Sequence, residues 1–328
     1  MNTPTLTVVQ LDQFPPLKTS WETLLANCPC NTIFLTWDWQ DLWWRTIGEG
    51  ELNLLTVQAG DEVVGIAPLV CQDGRWGFAG GVEVADFLDV IASPSHREGV
   101  ARAVLEFFQR SGSPVELRNL RPASLGATLL QSAAPAFQLT PSLEPEDVSP
   151  RIELTGDWDS YLHTLSKKDR HELRRKTRRL VGAGEVRWFY VTDPATRDAD
   201  VSDFLRLHRL SAESKAAFMT AEMEHFFRAL VDEFVPRGLL RLYFLEVDGV
   251  RVASVILFDY EGEFLLYNSG YDPAYAHLSV GLLLKAFCIK DAIDEGRRVF
   301  DFLQGDESYK YDLGAVDVPI LRLCLNPA

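Results

Sequence analysis

Two stretches of this chain, 188 residues apart, carry the same pattern. Residues 54–70 read LLTVQAGDEVVGIAPLV and residues 242–258 read LYFLEVDGVRVASVILF. Each is a pair of apolar runs around a short polar turn. Val247-Asp248-Gly249-Val250 is a strong hairpin cue, because glycine tolerates the positive φ that such turns need. A repeat at a fixed offset restricts the fold severely, since whatever one copy builds the other is expected to build as well.

The segments that follow each hairpin also match in order. In the first half the pattern predicts a strand at Val84–Ala92, a helix over Ser95–Arg110 with Val100, Val104, Phe107 and Phe108 on its apolar side, and a strand at Val115–Leu120. In the second half it predicts a strand at Phe264–Tyr271, a helix over Ser279–Glu295 with Val280, Leu283, Leu284, Phe287 and Ile293 buried, and a strand at Val299–Leu303. A strand–helix–strand step implies a parallel pair with a right-handed crossover. The hairpins are antiparallel, so each half should be an α/β (α+β) unit with a mixed sheet. Before the second hairpin two helices are expected, one over Ser202–Ala216 and one capped by Thr220 and stopped by Pro236 and Gly238.

Ser142–Pro150, with two prolines and three acids, reads as a linker. It divides the chain into expected domains at 1–150 and 151–328. Length agrees, because 328 residues exceed the roughly 250–300 at which one core stops growing.

Composition excludes several classes. A net charge of −15 argues against general nucleic-acid coating, so no DNA partner is expected. No apolar run approaches the ~20 residues of a membrane span, and the opening MNTPTLTVVQLDQF lacks the basic start of a signal peptide. The five cysteines are odd in number and form no CxxC pair. They read as reduced thiols of a cytoplasmic protein, with Cys28-Pro29-Cys30 a metal-free loop. Phe34, Trp37, Trp39, Trp43 and Trp44 either pack the first core or stack on sugars, and core packing is the expectation. Gly77–Gly81 lacks GxGxxG spacing after a clear strand and is expected to be a loop.

Several motifs together resemble the CelD/FemAB-type branch of the GNAT superfamily of acyltransferases. They are SKKDRHELRRKTRRL, Leu207-His208, DGVRVASVILF, YNSGYDP, Ser279–Leu282 and FDFLQGDESYK. The last, at Phe300–Lys310, is the most specific. FLTWDWQDLWW and ADFLDV in the first half also fit, so the resemblance spans most of the chain. It implies two tandem GNAT-like domains, the first a degenerate scaffold. It further implies N-acyl transfer from acyl-CoA (acetyl-CoA or longer) to an amine of a small molecule or of a saccharide or cell-envelope precursor, with no metal. A charged tRNA as donor, as in Fem-type ligases, and a non-catalytic GNAT-like binding module are the alternatives.

Site candidates follow from the resemblance. Members of this superfamily hold the CoA pyrophosphate on free amides at a helix start, where the dipole favours an anion. His277, Ser279, Val280, Gly281 and Leu282 occupy that place, with Ser279 as N-cap; the alternative is a serine-capped helix with a packing glycine. The usual Gln/Arg-x-x-Gly-x-Gly/Ala loop is altered, since Ala276 and Ser279 replace its first residue and first glycine. Tyr309 corresponds to a tyrosine that protonates the departing thiolate. Asp301 or Glu307 accepts the ammonium proton, and Lys310 holds an acceptor anion or pairs with Asp301; the alternative is that the cluster is a salt-bridged, capped turn that closes the sheet. Tyr271 and Asp272 follow the strand expected to part for the donor, and either bind substrate or start a turn. His208 is either a core histidine or a group that meets the acceptor. Lys167–Arg179 holds eight Lys/Arg in thirteen positions. Arg174 and Arg178 there either grip an anion (acceptor, CoA phosphate or tRNA backbone) or lie on a solvated face.

Overall fold

The computed structural model describes residues 6–327; Met1–Thr5 of the opening stretch and Ala328 lie outside the described residues. No helix among them is long and apolar enough to cross a membrane. Contacts divide the chain into two units: one takes the chain through Asp147 and again from Pro319, the other is Val148–Val318.

In the first unit the strands are β1 (Leu6–Leu11), β2 (Glu51–Ala59), β3 (Glu62–Gln72), β4 (Arg75–Phe78), β5 (Ile91–Ala92) and β6 (Val115–Leu120). Helices α1 (Lys18–Ala26), α2 (Trp37–Ile47), α3 (Arg97–Ser111) and the short α4 (Gln131–Ala133) accompany them. Neighbouring strands run β1-β2-β3-β4-β6, antiparallel except for the parallel β4–β6 pair. Trp21, Phe34 and Trp39 are fully buried and Trp43 nearly so, which places the tryptophan-rich segment in the core. Two expectations fail here. Only Ile91–Ala92 of the expected strand 84–92 is extended in a sheet, because the chain before it is turned by Gly80 and Gly81 at φ +106° and +81°. Cys28 and Cys30 are joined in a disulfide, as the Pro29 turn sets their Cα atoms 5.2 Å apart, so they are not free thiols.

Strand β7 (Leu139–Glu153) occupies the stretch read as a linker. Pro145 and Pro150 lack an N–H but keep an acceptor, and the Pro150 carbonyl receives the Phe302 amide at 2.9 Å. The second unit continues with α5 (Trp158–Thr164), α6 (Lys167–Val181), β8 (Val186–Tyr190), α7 (Arg197–Ser211), α8 (Glu213–Phe218) and α9 (Ala221–Phe234). It ends with β9 (Leu240–Val247), β10 (Val250–Tyr260), β11 (Glu263–Tyr271), α10 (Val280–Asp294), β12 (Val299–Asp301) and α11 (Ser308–Asp312). The helix expected over 202–216 is two helices, because Ala212 between them is extended. Strand order is β7-β12-β11-β10-β9-β8, with β11–β12 parallel and the other pairs antiparallel. Alternation along β9 and β10 feeds two cores. Tyr243, Leu245, Val255 and Leu257 pack with α5, α6 and α10, while Phe258 meets Phe234 of α9 and Tyr267.

The duplication extends below the level of sequence. Both hairpins carry one extra residue on the second strand: Val64, between the pairs Val57–Gly65 and Gln58–Val63, and Val252, between Arg251–Glu246 and Ala253–Leu245. These two residues stand at the same offset of 188. The last strand, Val316–Pro327, returns to the first unit and pairs antiparallel with β6 at Leu321–Leu120 and Leu323–Leu117. The second unit therefore closes at Val318 and not at 328.

Candidate active site

In the second unit β11 and β12 pair over three positions only, Glu263–Val299, Phe264–Phe300 and Leu265–Asp301. β12 then ends, whereas β11 continues to Tyr271. A bulge at Tyr267, between Ile256–Asn268 and Leu257–Leu266, bends β11 where the partner leaves. The parting leaves a strand edge without a ladder, which must find other partners.

Side chains from four elements gather at this edge. Lys215 of α8 donates to the Ser269 carbonyl of β11 at 2.5 Å. His208 of α7 is buried, and α7 approaches so closely that a Cβ on Gly270 would stand 2.3 Å from the His208 amide nitrogen. The His208 ring bonds Asn268 and leaves Nδ1 without a partner. Burial, reinforced by the Lys215 charge, lowers its pKa to about 4, so the ring is neutral at pH 7. Lys285 of α10, 6% exposed, donates to the Gly281 carbonyl at 3.2 Å, and its Nζ lies 4.7 Å from the centre of the Tyr309 ring. Burial first, and then the Lys215 charge, lowers the Lys285 pKa to about 7. Burial and then the Glu307 charge raise that of the Tyr309 phenol, which keeps its proton at neutral pH. Burial, the largest single influence on Glu307, raises its pKa, yet the bond and charge of Lys310 with the Lys215 charge together outweigh it and hold the carboxyl below its usual range.

The loop after β12 builds itself around Lys310. Its ammonium, 1% exposed as a residue, donates to the carbonyls of Leu303, Gln304 and Gly305 at 2.8–2.9 Å and pairs with Glu307 at 2.9 Å. Gly305 is required at φ +111°, and a Cβ there would meet the Glu307 carboxylate at 2.8 Å. Lys310 is thus spent on the loop and pairs with Glu307, not Asp301. Asp301 accepts from the Ser149 hydroxyl at 2.7 Å and from the Leu303 amide at 2.8 Å, and burial raises its pKa to about 6. Of the three expected proton-transfer residues, the fold brings Tyr309 and Glu307 into one group and engages Asp301 elsewhere.

At the start of α10, Ser279 is in the left-handed region at φ +59° and its hydroxyl caps nothing, contrary to the expected N-cap. The amides of Val280, Gly281 and Leu282 have no carbonyl one helical turn back. A cavity of about 270 Å³ bordered by Leu282 and Leu313 carries two lysines, Lys168 and Lys176, and three acids, Asp169, Glu172 and Asp312. Gly281 lies against the Tyr271 ring, 3.1 Å from the position of a Cβ. Asp272 accepts the Ala274 amide and so starts the turn. The exposed His277 ring folds onto the Ala274 carbonyl, and Arg179 of α6 grips the His277 carbonyl at 2.6 Å. Arg174 and Arg178 line a second cavity, of about 940 Å³, that shares Lys168, Glu172 and Leu173 with the first and contains neither Tyr309 nor Lys285. Among the described residues no group of His, Cys, Asp and Glu is arranged to hold a metal.

Sequence reasoning missed Lys215, Asn268 and Lys285. The last carries a readable signal: a single lysine inside the apolar run LLLKAFCI, one helical turn after Gly281.

Residues 167–311 match a family model described as an acetyltransferase (GNAT) domain. No curated protein matches the chain in sequence. Among solved structures, FemX superposes with a TM-score of 0.65 at 9% identity, covering 96% of each chain. A tandem GNAT protein from the clavulanic acid biosynthesis pathway gives 0.55 at 14% identity, covering 97% of this chain and 98% of the other. L-PGS from Bacillus licheniformis gives 0.55 at 12% identity, covering 88% and 91%. At these identities the likeness is one of fold.

Proposed function

We propose that the second unit, whose residues 167–311 match an acetyltransferase (GNAT) domain model, moves an acyl group from acyl-CoA to an amine. The acceptor class in this proposal is a small molecule or a saccharide or cell-envelope precursor, and the setting is cytoplasmic. The observation that carries the reading is the parting of β11 from β12 after Leu265, with a protonated, half-buried Tyr309 next to it.

Acyl-CoA supplies an activated carbonyl and a thiolate leaving group. The amine nitrogen attacks the carbonyl carbon and the carbon–sulfur bond breaks. Sulfur takes the proton of the Tyr309 hydroxyl, and nitrogen gives one to Glu307, directly or through water. Passage of that proton back to Tyr309 through solvent resets the pair. Glu307 suits the acceptor role better than Asp301, whose carboxyl is held by Ser149 and Leu303. The free amides of Val280, Gly281 and Leu282 suit the pyrophosphate, whereas the adjoining cavity sets Lys168 and Lys176 among Asp169, Glu172 and Asp312 and adds no net positive charge.

Thermal melting with CoA, acetyl-CoA and longer acyl-CoAs tests the reading. A donor at a hundred times its Kd should add about 2.7 kcal/mol of stability, and no shift with any of them would refute it. A second reading, with aminoacyl-tRNA as donor, is favoured by the basic face of α6, where Lys168, Arg174 and Arg178 carry no ion pair among the described residues. It predicts stabilisation by charged tRNA and none by CoA.

A further inference from the structure

The 940 Å³ cavity lies between α5, α6, β8 and α10 and has two distinct parts. Its apolar part is formed by Trp158, Leu162, Leu173, Trp188 and Phe287. Trp188 stacks on Phe287 with ring centres 4.4 Å apart and an interplanar angle of 24°, yet is 37% exposed. Its indole N–H is directed to Asp291. A large indole left half-open on an edge strand, over a buried phenylalanine, is surface that a ligand would remove from water.

The other part is cationic. Lys168, Arg174 and Arg178 border the same space with no ion pair among the described residues, while Arg175 is paired with Glu172 and Lys290 with Asp294. In a chain with 47 acidic and 32 basic residues, unpaired cations grouped around one apolar recess are a local inversion of the overall charge. The apolar part also restricts the guest. A nucleobase edge needs hydrogen-bond partners, and Leu162, Leu173 and Phe287 provide none with their side chains. An aliphatic chain needs none. The volume is near the top of the ~300–1,000 Å³ typical of ligand pockets, enough for a long chain.

We propose that this cavity binds one molecule of an anionic amphiphile, with an aliphatic tail against Trp188, Phe287 and Leu162 and a phosphate or carboxylate head at Arg174 and Arg178. The site is separate from the Tyr309 group and does not rest on the transfer reading. Helix α10 belongs to both, with Lys285 facing Tyr309 and Phe287 and Lys290 facing the cavity.

Isothermal titration of the full chain with n-dodecyl phosphate, below its micelle concentration, tests the proposal. One-to-one binding is expected, with inorganic phosphate at least a hundredfold weaker. The pair Arg174→Glu and Arg178→Glu should weaken binding at least tenfold, and Trp188→Ala at least fivefold. Tyr309→Phe should leave it unchanged, so a failure here is distinguishable from a failure of the transferase reading. Absence of binding overturns the proposal. So does equal affinity in both cavity variants, or inorganic phosphate binding as tightly as the amphiphile. Binding to phosphatidylglycerol vesicles with none to the monomer overturns it in favour of a membrane-docking face. Binding of tRNA that depends on Arg174 and Arg178, with none of the amphiphile, overturns it in favour of a nucleic-acid surface.

Discussion

Replacing Lys285 with methionine should change how the stability of the protein depends on pH. Methionine keeps the length and apolar stem of the lysine and removes the amine that α10 buries against Tyr309. In the folded chain the Lys285 pKa is lowered from 10.5 to about 7, chiefly by burial. Between those values the unfolded chain holds a proton that the folded chain does not, so wild-type stability rises with pH across the window and is level below it. At ~1.36 kcal/mol for each tenfold change in proton affinity, the folded state is disfavoured by about 4–5 kcal/mol at pH 6 and about 2 kcal/mol at pH 9. Moving from pH 6 to pH 9 should therefore favour the wild type over Lys285→Met by about 2–3 kcal/mol. The bond to Gly281 and the contact with the Tyr309 ring are also lost in the variant, so the change between the two pH values, not the absolute difference, isolates the titration. Urea unfolding of both proteins at pH 6 and pH 9 measures it, and titrating groups not coupled to Lys285 cancel in the comparison. A stability difference that stays the same within about 0.5 kcal/mol at both pH values would show that the amine is not held neutral.

Three further outcomes are expected. Tyr309→Phe should lower kcat by about 10²-fold or more while the melting shift produced by CoA is retained; unchanged turnover would remove the proton-donor role. Lys310→Met should cost about 2–4 kcal/mol in denaturant unfolding, because one buried and two part-buried carbonyls and Glu307 lose one shared partner, and Lys310→Arg should not restore it, since a planar fork does not reach the same carbonyls. Gly270→Ala should cost about 1–3 kcal/mol in the same assay, since a methyl group would drive α7 off β11; a neutral result would contradict the close approach at His208.

The hairpins were the most legible part of the fold because their cue is local: apolar alternation around Asp248-Gly249 at positive φ. The helix start at Thr220 was equally readable, and its hydroxyl accepts the Met223 amide. The bulges at Val64 and Val252 were not, since nothing in the side chains marks a residue skipped by its partner strand. β7 was misread because prolines and acids were weighed as breakers, although what a strand edge requires of Pro150 is only its carbonyl. At the candidate site, FDFLQGDESYK mixes two kinds of residue. Tyr309 and Glu307 join the polar group, while Lys310 and Asp301 hold the loop, a division made by backbone carbonyls and by Ser149, 152 positions away in sequence. Lys215 and His208 reach the same place from helices whose own pattern says only that they are amphipathic.

The return of the final strand to β6 has a consequence for biosynthesis. A nascent chain emerges from its amino end, and domains completed early ordinarily fold early. Here Leu321 and Leu323, which close the edge of β6, leave the ribosome after every residue of the downstream unit. The edge of β6 therefore stays open until the whole of the downstream unit has been synthesised.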